Sequence, residues 1–380
     1  MPWKEVSVMD QRSEFVMLAS QEGANRRELC RRFEISAETG YKWLGRAASG
    51  QAGWAADRSR RPHRSPDRSA DKLEIEILRW RDAHPAWGAR KIAFCLEREG
   101  IDPPAISTVH AILSRHGRII PPPGGDRATI RFEHPAPNLV WQMDFKGDVP
   151  LGDGGRCHPL TVVDDHSRFN LCLQACANQR GEGVQSRLIP TFQRYGLPAA
   201  FLIDNGSPWG GGPGHRWTAF SVWLLKLGIS VIYSRPYHPQ TRGKSERFHR
   251  TLNAEVFALK PLKDLAAAQA EFDAWRTVYN CERPHQGIGM AVPASRYTPS
   301  RRLYPQRLPK VEYEPGTITR RVGTTKSYIS FRGAMWRVPQ AFMGETLAIR
   351  PRDTRDGHFA ICFGAQQIAS INLLGKENSP

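Results

Sequence analysis

Three acidic residues stand where an acid is either costly or conspicuous. Asp144 falls inside the apolar run Val140-Trp141-Gln142-Met143-Asp144-Phe145, where a buried carboxylate needs a charged partner to offset the loss of water. Asp204 ends the run Ala200-Phe201-Leu202-Ile203 and directly precedes Asn205-Gly206, a turn sequence that leaves the carboxylate at a sheet edge. Glu246 follows His238-Pro239-Gln240-Thr241 in a segment expected to be helical. Carboxylates from two strand ends and one helix are hard oxygen ligands, suited to two Mg²⁺ (or Mn²⁺) ions roughly 3.5–4 Å apart. One ion then activates an attacking water or 3′-hydroxyl, and the other steadies the leaving oxygen. Nothing points to zinc. Cys172 and Cys176 fall in an expected strand, where four residues span roughly 13 Å, too far to share one ion.

The elements that must carry these acids read as an α/β domain over residues 138–298. Strands are expected at Leu139–Phe145, Leu160–Val163, Phe169–Ala177, Ala200–Ile203 and Ile229–Tyr233, and helices at Gln185–Tyr195, Phe220–Leu227, and from about Gly243 and Leu262. The order β-β-β-α-β-α-β-α-α implies a mixed sheet, three antiparallel strands leading into parallel ones. Asp164 and Asp165 are rival acids near the end of the second strand, read as structural or supporting residues. His249 lies one helical turn after Glu246 on a similar face. Lys244, Arg247 and Arg250 flank Glu246, where cations can hold phosphates near the metals.

The flanking regions point to DNA. The chain has 380 residues, a formal charge of +17 and a pI near 9.9, which favours a polyanionic partner. Residues 1–48 and 71–120 each read as short amphipathic helices joined by a tight turn, a tandem of helix-turn-helix units. Ser36 is the expected N-cap of the first recognition helix. Tyr41, Lys42 and Arg46 in the first unit, and Ser107, Thr108 and His110 in the second, are the expected contacting residues. A basic linker at 49–70 and a proline-rich linker at 121–137 separate these units from each other and from the core. Residues 308–375 read as six short strands with turns between them, a small β-barrel. The last 85 residues carry 14 Lys+Arg against 6 Asp+Glu, and Arg320, Arg321, Lys326, Arg332 and Arg337 are its expected phosphate contacts. The seven scattered cysteines suit reduced thiols. The polar stretch Met1 to Asp10 and the lack of a run of about 18 apolar residues suggest a cytoplasmic protein with no membrane partner.

Several motifs carry a resemblance. Trp141-Gln142-Met143-Asp144-Phe145, Val163-Asp164-Asp165-His166-Ser167-Arg168 and Asp204-Asn205-Gly206-Ser207 follow one another in the order of a retroviral-integrase-like core. Tyr237-His238-Pro239-Gln240-Thr241-Arg242-Gly243-Lys244-Ser245-Glu246-Arg247-Phe248-His249-Arg250-Thr251-Leu252 and Tyr279-Asn280-Cys281-Glu282-Arg283-Pro284-His285-Gln286-Gly287 are longer and more specific. Together they resemble bacterial insertion-sequence transposases with a DDE integrase core. The resemblance implies a ribonuclease-H-like fold and Asp144, Asp204 and Glu246 as catalytic metal ligands for two Mg²⁺ ions. It also implies 3′-end nicking followed by strand transfer, with double-stranded transposon ends and target DNA as partners. Asp164 is not a primary ligand in that pattern. The 41 residues between Asp204 and Glu246 exceed the family's common spacing, and the glycine-rich Pro208–Gly214 stretch absorbs the excess. Bringing two ends to one target implies at least a homodimer on DNA, acting on the bacterial nucleoid. Two other functions compete: a DNA-binding regulator that no longer cuts, and a nuclease for RNA in hybrids. The first needs no complete set of acids, and the second does not explain two helix-turn-helix units that read duplex DNA.

Overall fold

The computed structural model describes residues 7–58, 68–119, 133–210, 216–234, 243–352, 356–375 and 377–379. The chain forms two compact units divided near residue 68.

In the first unit, α1 (Val8–Ala19), α2 (Arg26–Arg32) and α3 (Ala37–Ala48) are each started by a side-chain cap: Ser7, Asn25 and the expected Ser36. Phe15, Ala19 and Cys30 form the core, with Phe15 edge-on to Phe33. Gly40 lets α3 cross closely, since a Cβ there would stand 2.6 Å from Cys30 Sγ and 2.9 Å from the Phe15 ring.

The second unit opens with α4 (Asp71–Ala83), α5 (Ala89–Arg98) and α6 (Ile106–Arg115), packed around Ile77, Trp87, Ile92, Leu96, Val109 and Leu113. The buried Glu74 is satisfied by Arg115 and His116 at the end of α6, which fixes that helix against α4. This three-helix layer is not set apart from the rest of its unit. Val278 packs into its core, and Arg98 donates to the Glu282 carbonyl.

The central sheet is built from β1 (Val140–Phe145), β2 (Val149–Pro150), β3 (Arg156–Asp164), β4 (Asn170–Cys176), β5 (Ala200–Ile203) and β6 (Ser230–Tyr233). Its order is β4-β3-β1-β5-β6, with β2 beside the start of β3. β1, β3 and β4 pair antiparallel, whereas β1, β5 and β6 pair parallel, the mixed sheet expected from element order. The helices α7 (Glu182–Tyr195) and α8 (Ala219–Lys226) are followed by α9 (Gly243–Leu252), which runs on into a π-helical turn, and by α10 (Leu265–Cys281). Alternation along the strands sorts two cores. Trp141, Met143, Leu160, Val162, Phe201 and Ile203 join residues of α7 and α8 on one face. Val163 and Leu173 join Phe248, Leu252, Phe272 and Trp275 of α9 and α10 on the other.

Side chains of α10 occupy the outer edge of β4. Asn280 bonds both the amide and the carbonyl of Asn170, Arg276 donates to the Leu171 carbonyl, and Gln269 bonds Leu173 O and Ala175 N. On the opposite edge, the amide of Val231 in β6 donates to Gln366.

The C-terminal strands are β7 (Ile318–Arg321), β8 (Tyr328–Phe331), β9 (Ala334–Arg337), β10 (Thr346–Pro351), β11 (His358–Phe363), β12 (Gln366–Asn372) and β13 (Glu377–Ser379). They form an open antiparallel sheet, β13-β12-β11-β10-β7, and a separate β8-β9 hairpin. The expected closed barrel is not seen among the described residues, where β13 and β7 stay at the two edges. Nor does this region stand alone. Phe331, Phe342, Leu347, Ile361 and Phe363 belong to the same apolar cluster as the α7/α8 face of the central sheet. Phe342 meets Trp217 edge-on, and Lys226 pairs with Glu345 at 2.6 Å.

Candidate active site

The strand register brings two of the three expected acids together. Val140, Trp141 and Gln142 pair with Ala200, Phe201 and Leu202, a constant offset of sixty residues. Carried two residues on, the same offset sets Asp144 level with Asp204, just past the end of β5. Both have the parity of Val140, Ala200 and Leu202, opposite to Trp141, Met143, Phe201 and Ile203. The two residues therefore stand level on the α9 face of the sheet. Asp204 accepts a hydrogen bond from Ser234 Oγ at 3.1 Å, and Asn205 Nδ2 donates to the Ser234 carbonyl at 2.6 Å, so the end of β6 steadies the turn.

Glu246 lies in the first turn of α9 and is exposed. Among the described residues no three His, Cys, Asp or Glu side chains are gathered closely enough to hold one metal ion. The register sets Asp144 and Asp204 level, and the position of Glu246 is set by its helix. That placement is closely specified. Ser245, the residue before Glu246, is buried and donates to Gln142 Oε1 at 3.0 Å. Gln142 Nε2 donates to Asp165 Oδ1 at 2.8 Å, and Lys244 Nζ pairs with the same carboxylate. One turn further on, His249 Nε2 lies 2.9 Å from Thr161 Oγ1, whose hydroxyl donates to the Asp144 carbonyl at 2.9 Å. A hydroxyl has one proton, so His249 is the donor to Thr161 and carries its proton on Nε2. Behind the helix, Phe248 packs edge-on against Trp275 and Tyr279.

Sequence reasoning missed Gln142, Thr161 and Ser245. A signal was present: Gln142 and Asp144 are polar at i and i+2 of a strand whose other face is wholly apolar. Asp164, a rival acid in the sequence, is elsewhere. It sits opposite Trp141 in the ladder, whereas Thr161 sits opposite Asp144, roughly 10 Å along the strand. Its fully buried carboxylate accepts from the amides of Asn138 and Ser167 and from Ser167 Oγ, so it shapes the β3–β4 turn. The long loop after Asp204 is anchored by Trp209, buried and stacked on Phe145 beside Asp144. Gly211–Gly214 and Tyr237–Arg242 lie outside the described residues, as do Arg60, Arg61, Arg64 and most of the proline-rich linker.

The expected DNA contacts divide. Arg247 and Arg250 are exposed on α9, but Lys244 is turned inward onto Asp165, and its burial lowers its pKa. Ser107 and His110 are exposed on α6 and Thr108 is half-buried. Tyr41 and Lys42 are exposed on α3, whereas the Arg46 guanidinium lies over the buried Trp43 and donates to the Ala56 carbonyl. In the C-terminal region Arg321, Lys326 and Arg337 are exposed. Arg320 donates to Ser330 O and Thr319 O, and Arg332 lies over Phe331 and Phe359.

One further cation was not foreseen. Lys91 of α5 has its pKa lowered to about 8, first by burial and then by the nearby Arg283 and Arg247, with Glu255 and Cys95 opposing them. Between that value and the ordinary 10.5 the unfolded chain binds the extra proton, so stability rises with pH across the window and the charged lysine is a full burden below it. Lys91→Met is expected to raise the melting temperature most near neutral pH, with the gain shrinking as the pH passes from 8 towards 10.5. Thermal unfolding of both proteins across that range checks it; a pH-independent difference would show that Lys91 carries no such burden.

Comparison with known proteins finds matches to several stretches of the chain. Two models described as integrase core domain match residues 134–239 and 227–293. A homeodomain-like domain matches 39–113, and the C-terminal domain of IS481 family transposases matches 318–379. The chain resembles insertion-sequence transposases and carries an integrase core. It is 31% identical over 172 residues to the uncharacterized 39.2 kDa protein of insertion element IS476 from Xanthomonas euvesicatoria, covering 45% of this chain and 47% of that protein. It is 26% identical over 241 residues to the uncharacterized 31.7 kDa protein of insertion element IS407 from Burkholderia multivorans, covering 60% and 82%. The chain thus spans about half the length of the first relative. A solved simian T-cell lymphotropic virus intasome aligns at 18% identity with a TM-score of 0.37, covering 73% of this chain and 94% of that one. Among the described residues no helix is long and apolar enough to cross a membrane.

Proposed function

We propose that this protein is a DNA transposase that nicks the ends of an insertion element to free 3′-hydroxyls and joins them to target DNA. The observation that carries this reading is the parallel register of β1 on β5, which, extended by two residues, sets Asp144 level with Asp204, while Glu246 opens the packed helix α9. The donor set is all carboxylate, which suits Mg²⁺ or Mn²⁺, and the three acids would hold two such ions. Bound there, the ions would supply Lewis acidity to the attacking and leaving oxygens of an in-line displacement.

The chain's own residues do the rest. Asp144 and Asp204 would hold the ions at the end of the sheet, and the contacts of Lys244 and Ser245 set where α9 carries Glu246. In the first step water adds to phosphorus as the 3′-oxygen leaves with a proton. In the second that 3′-hydroxyl attacks a target phosphodiester, and the target's own 3′-oxygen departs. Arg247 and Arg250, exposed beside Glu246, suit the flanking phosphates, while Tyr41 and Lys42 on α3 and Ser107 and His110 on α6 suit the major groove. Arg321, Lys326 and Arg337 suit target or end phosphates. Action on two ends requires at least two copies on DNA.

The test supplies full-length protein with a duplex ending in the inverted repeat that bounds its gene, a supercoiled plasmid and Mg²⁺. Covalently joined end–plasmid products are expected, and a scrambled end should give few. Tight, end-specific binding with no nicked or joined strand in either Mg²⁺ or Mn²⁺ would instead make the protein a DNA-binding regulator.

A further inference from the structure

We infer that Gln142, Asp165, Lys244 and Ser245 form a buried polar clamp that sets the position of Glu246 relative to Asp144, so that these four are positioning residues for the metal site. The inference rests on the assignment of the three acids proposed above and assigns the means by which the third is brought to the other two.

The clamp is a closed circuit between the positions next to the acids. Gln142 precedes Asp144 by two residues and shares its face of β1; Lys244 and Ser245 immediately precede Glu246 on α9. Gln142 and Ser245 are each 4% exposed and Asp165 only 2%. A carboxylate can only accept, so the Gln142 amide is oriented without ambiguity: Nε2 faces Asp165 and Oε1 receives the Ser245 hydroxyl. Asp165 Oδ2 accepts from the His134 amide, and its Oδ1 also takes the Lys244 ammonium. Asp165 N in turn donates to the Val140 carbonyl, so the carboxylate is fixed to the start of β1.

Buried polar groups of this kind are costly unless every member is satisfied, and a one-residue shift of α9 would take the Ser245 donor from Gln142 Oε1 and the Lys244 ammonium from Asp165. The helix therefore has one register on the sheet. An apolar interface would hold α9 as firmly but tolerate sliding and rotation, which a metal ligand on an exposed first turn cannot. The second tie, from His249 through Thr161 to the Asp144 carbonyl, fixes the helix rotation one turn further on.

The test measures Mn²⁺ binding to DNA-free, full-length protein by the loss of the free-ion EPR signal, and strand joining as a function of Mg²⁺. The variants are Ser245→Ala and Gln142→Met, which remove clamp contacts without leaving an unpaired charge. Ile361→Val, a core change in the C-terminal sheet, serves as the control for stability lost elsewhere, and Asp204→Asn as the control for the site itself. Loss of such supporting hydrogen bonds weakens metal affinity by roughly 10–100-fold. We expect that loss in both clamp variants, with a matching rise in the Mg²⁺ needed for joining, and wild-type affinity in Ile361→Val. Wild-type Mn²⁺ affinity in both clamp variants would overturn the clamp while leaving the acids in place. Binding in the wild type that survives Asp204→Asn, or no binding at all, would overturn the assignment of the acids and the clamp with it.

Discussion

Asp204→Asn is expected to lower nicking and strand joining by roughly 10³-fold or more, because an amide in place of a carboxylate removes a charged oxygen from the site that stabilises the transferring phosphate. Binding of the DNA end should stay close to wild type, since phosphate affinity rests on arginines and lysines elsewhere. Asp144→Asn is expected to behave alike, as the two acids stand level on paired strands. Gel-shift and joining assays on the same preparations measure both quantities. Near-normal joining by Asp204→Asn would remove this residue from the chemistry.

The second large effect concerns the C-terminal region. Its high charge suggests a separable DNA-binding module, and a separable module can be cut off. The shared apolar cluster argues otherwise. Removal of residues 308–380 would expose Trp217 and the part of α8 that packs on the Gln340–Phe342 turn, and the truncated chain is expected to be insoluble or to lack a cooperative melting transition. Phe342→Ala gives the graded version, with a loss of about 3–5 kcal/mol for a fully buried aromatic ring. A truncated chain that melts cooperatively near the wild-type temperature would show the two parts to be independent. The phosphate role of this region is then to be read from Arg321→Ala, Lys326→Ala and Arg337→Ala together, which should flatten the fall of affinity with salt while leaving the fold intact.

Much of the fold was legible because its strands obey simple alternation. Val140–Phe145, Ala200–Ile203 and Tyr328–Phe331 match their expected positions within a residue, and Ser36 caps α3 through its hydroxyl. Asp144 and Asp204 could be singled out because each breaks an apolar pattern at a strand end. What escaped was what depends on partners distant in sequence. β13 and the two-residue β2 have no pattern of their own and exist through pairing. Lys244 looks like a surface lysine until Asp165, seventy-nine residues away, is placed against it. Asp164 and Asp165 read as twins in sequence, yet one shapes a turn and the other joins the helix that bears Glu246. The expected barrel failed for the same reason: short strands announce a sheet, but closure depends on whether its two edges meet.

The side chains laid along both margins of the central sheet bear on how copies of this protein can meet. A bare strand margin is an invitation to any other strand, and adhesion through it would be indiscriminate. Here Asn280, Arg276 and Gln269 answer the backbone of β4 from within the same molecule, and Gln366 answers Val231 on the far side. Sheet-to-sheet splicing is thereby closed as a route to self-association at those positions. Copies that assemble are left with helical faces, loops and the edges β7 and β13 of the C-terminal sheet, surfaces on which a choice of partner can be written.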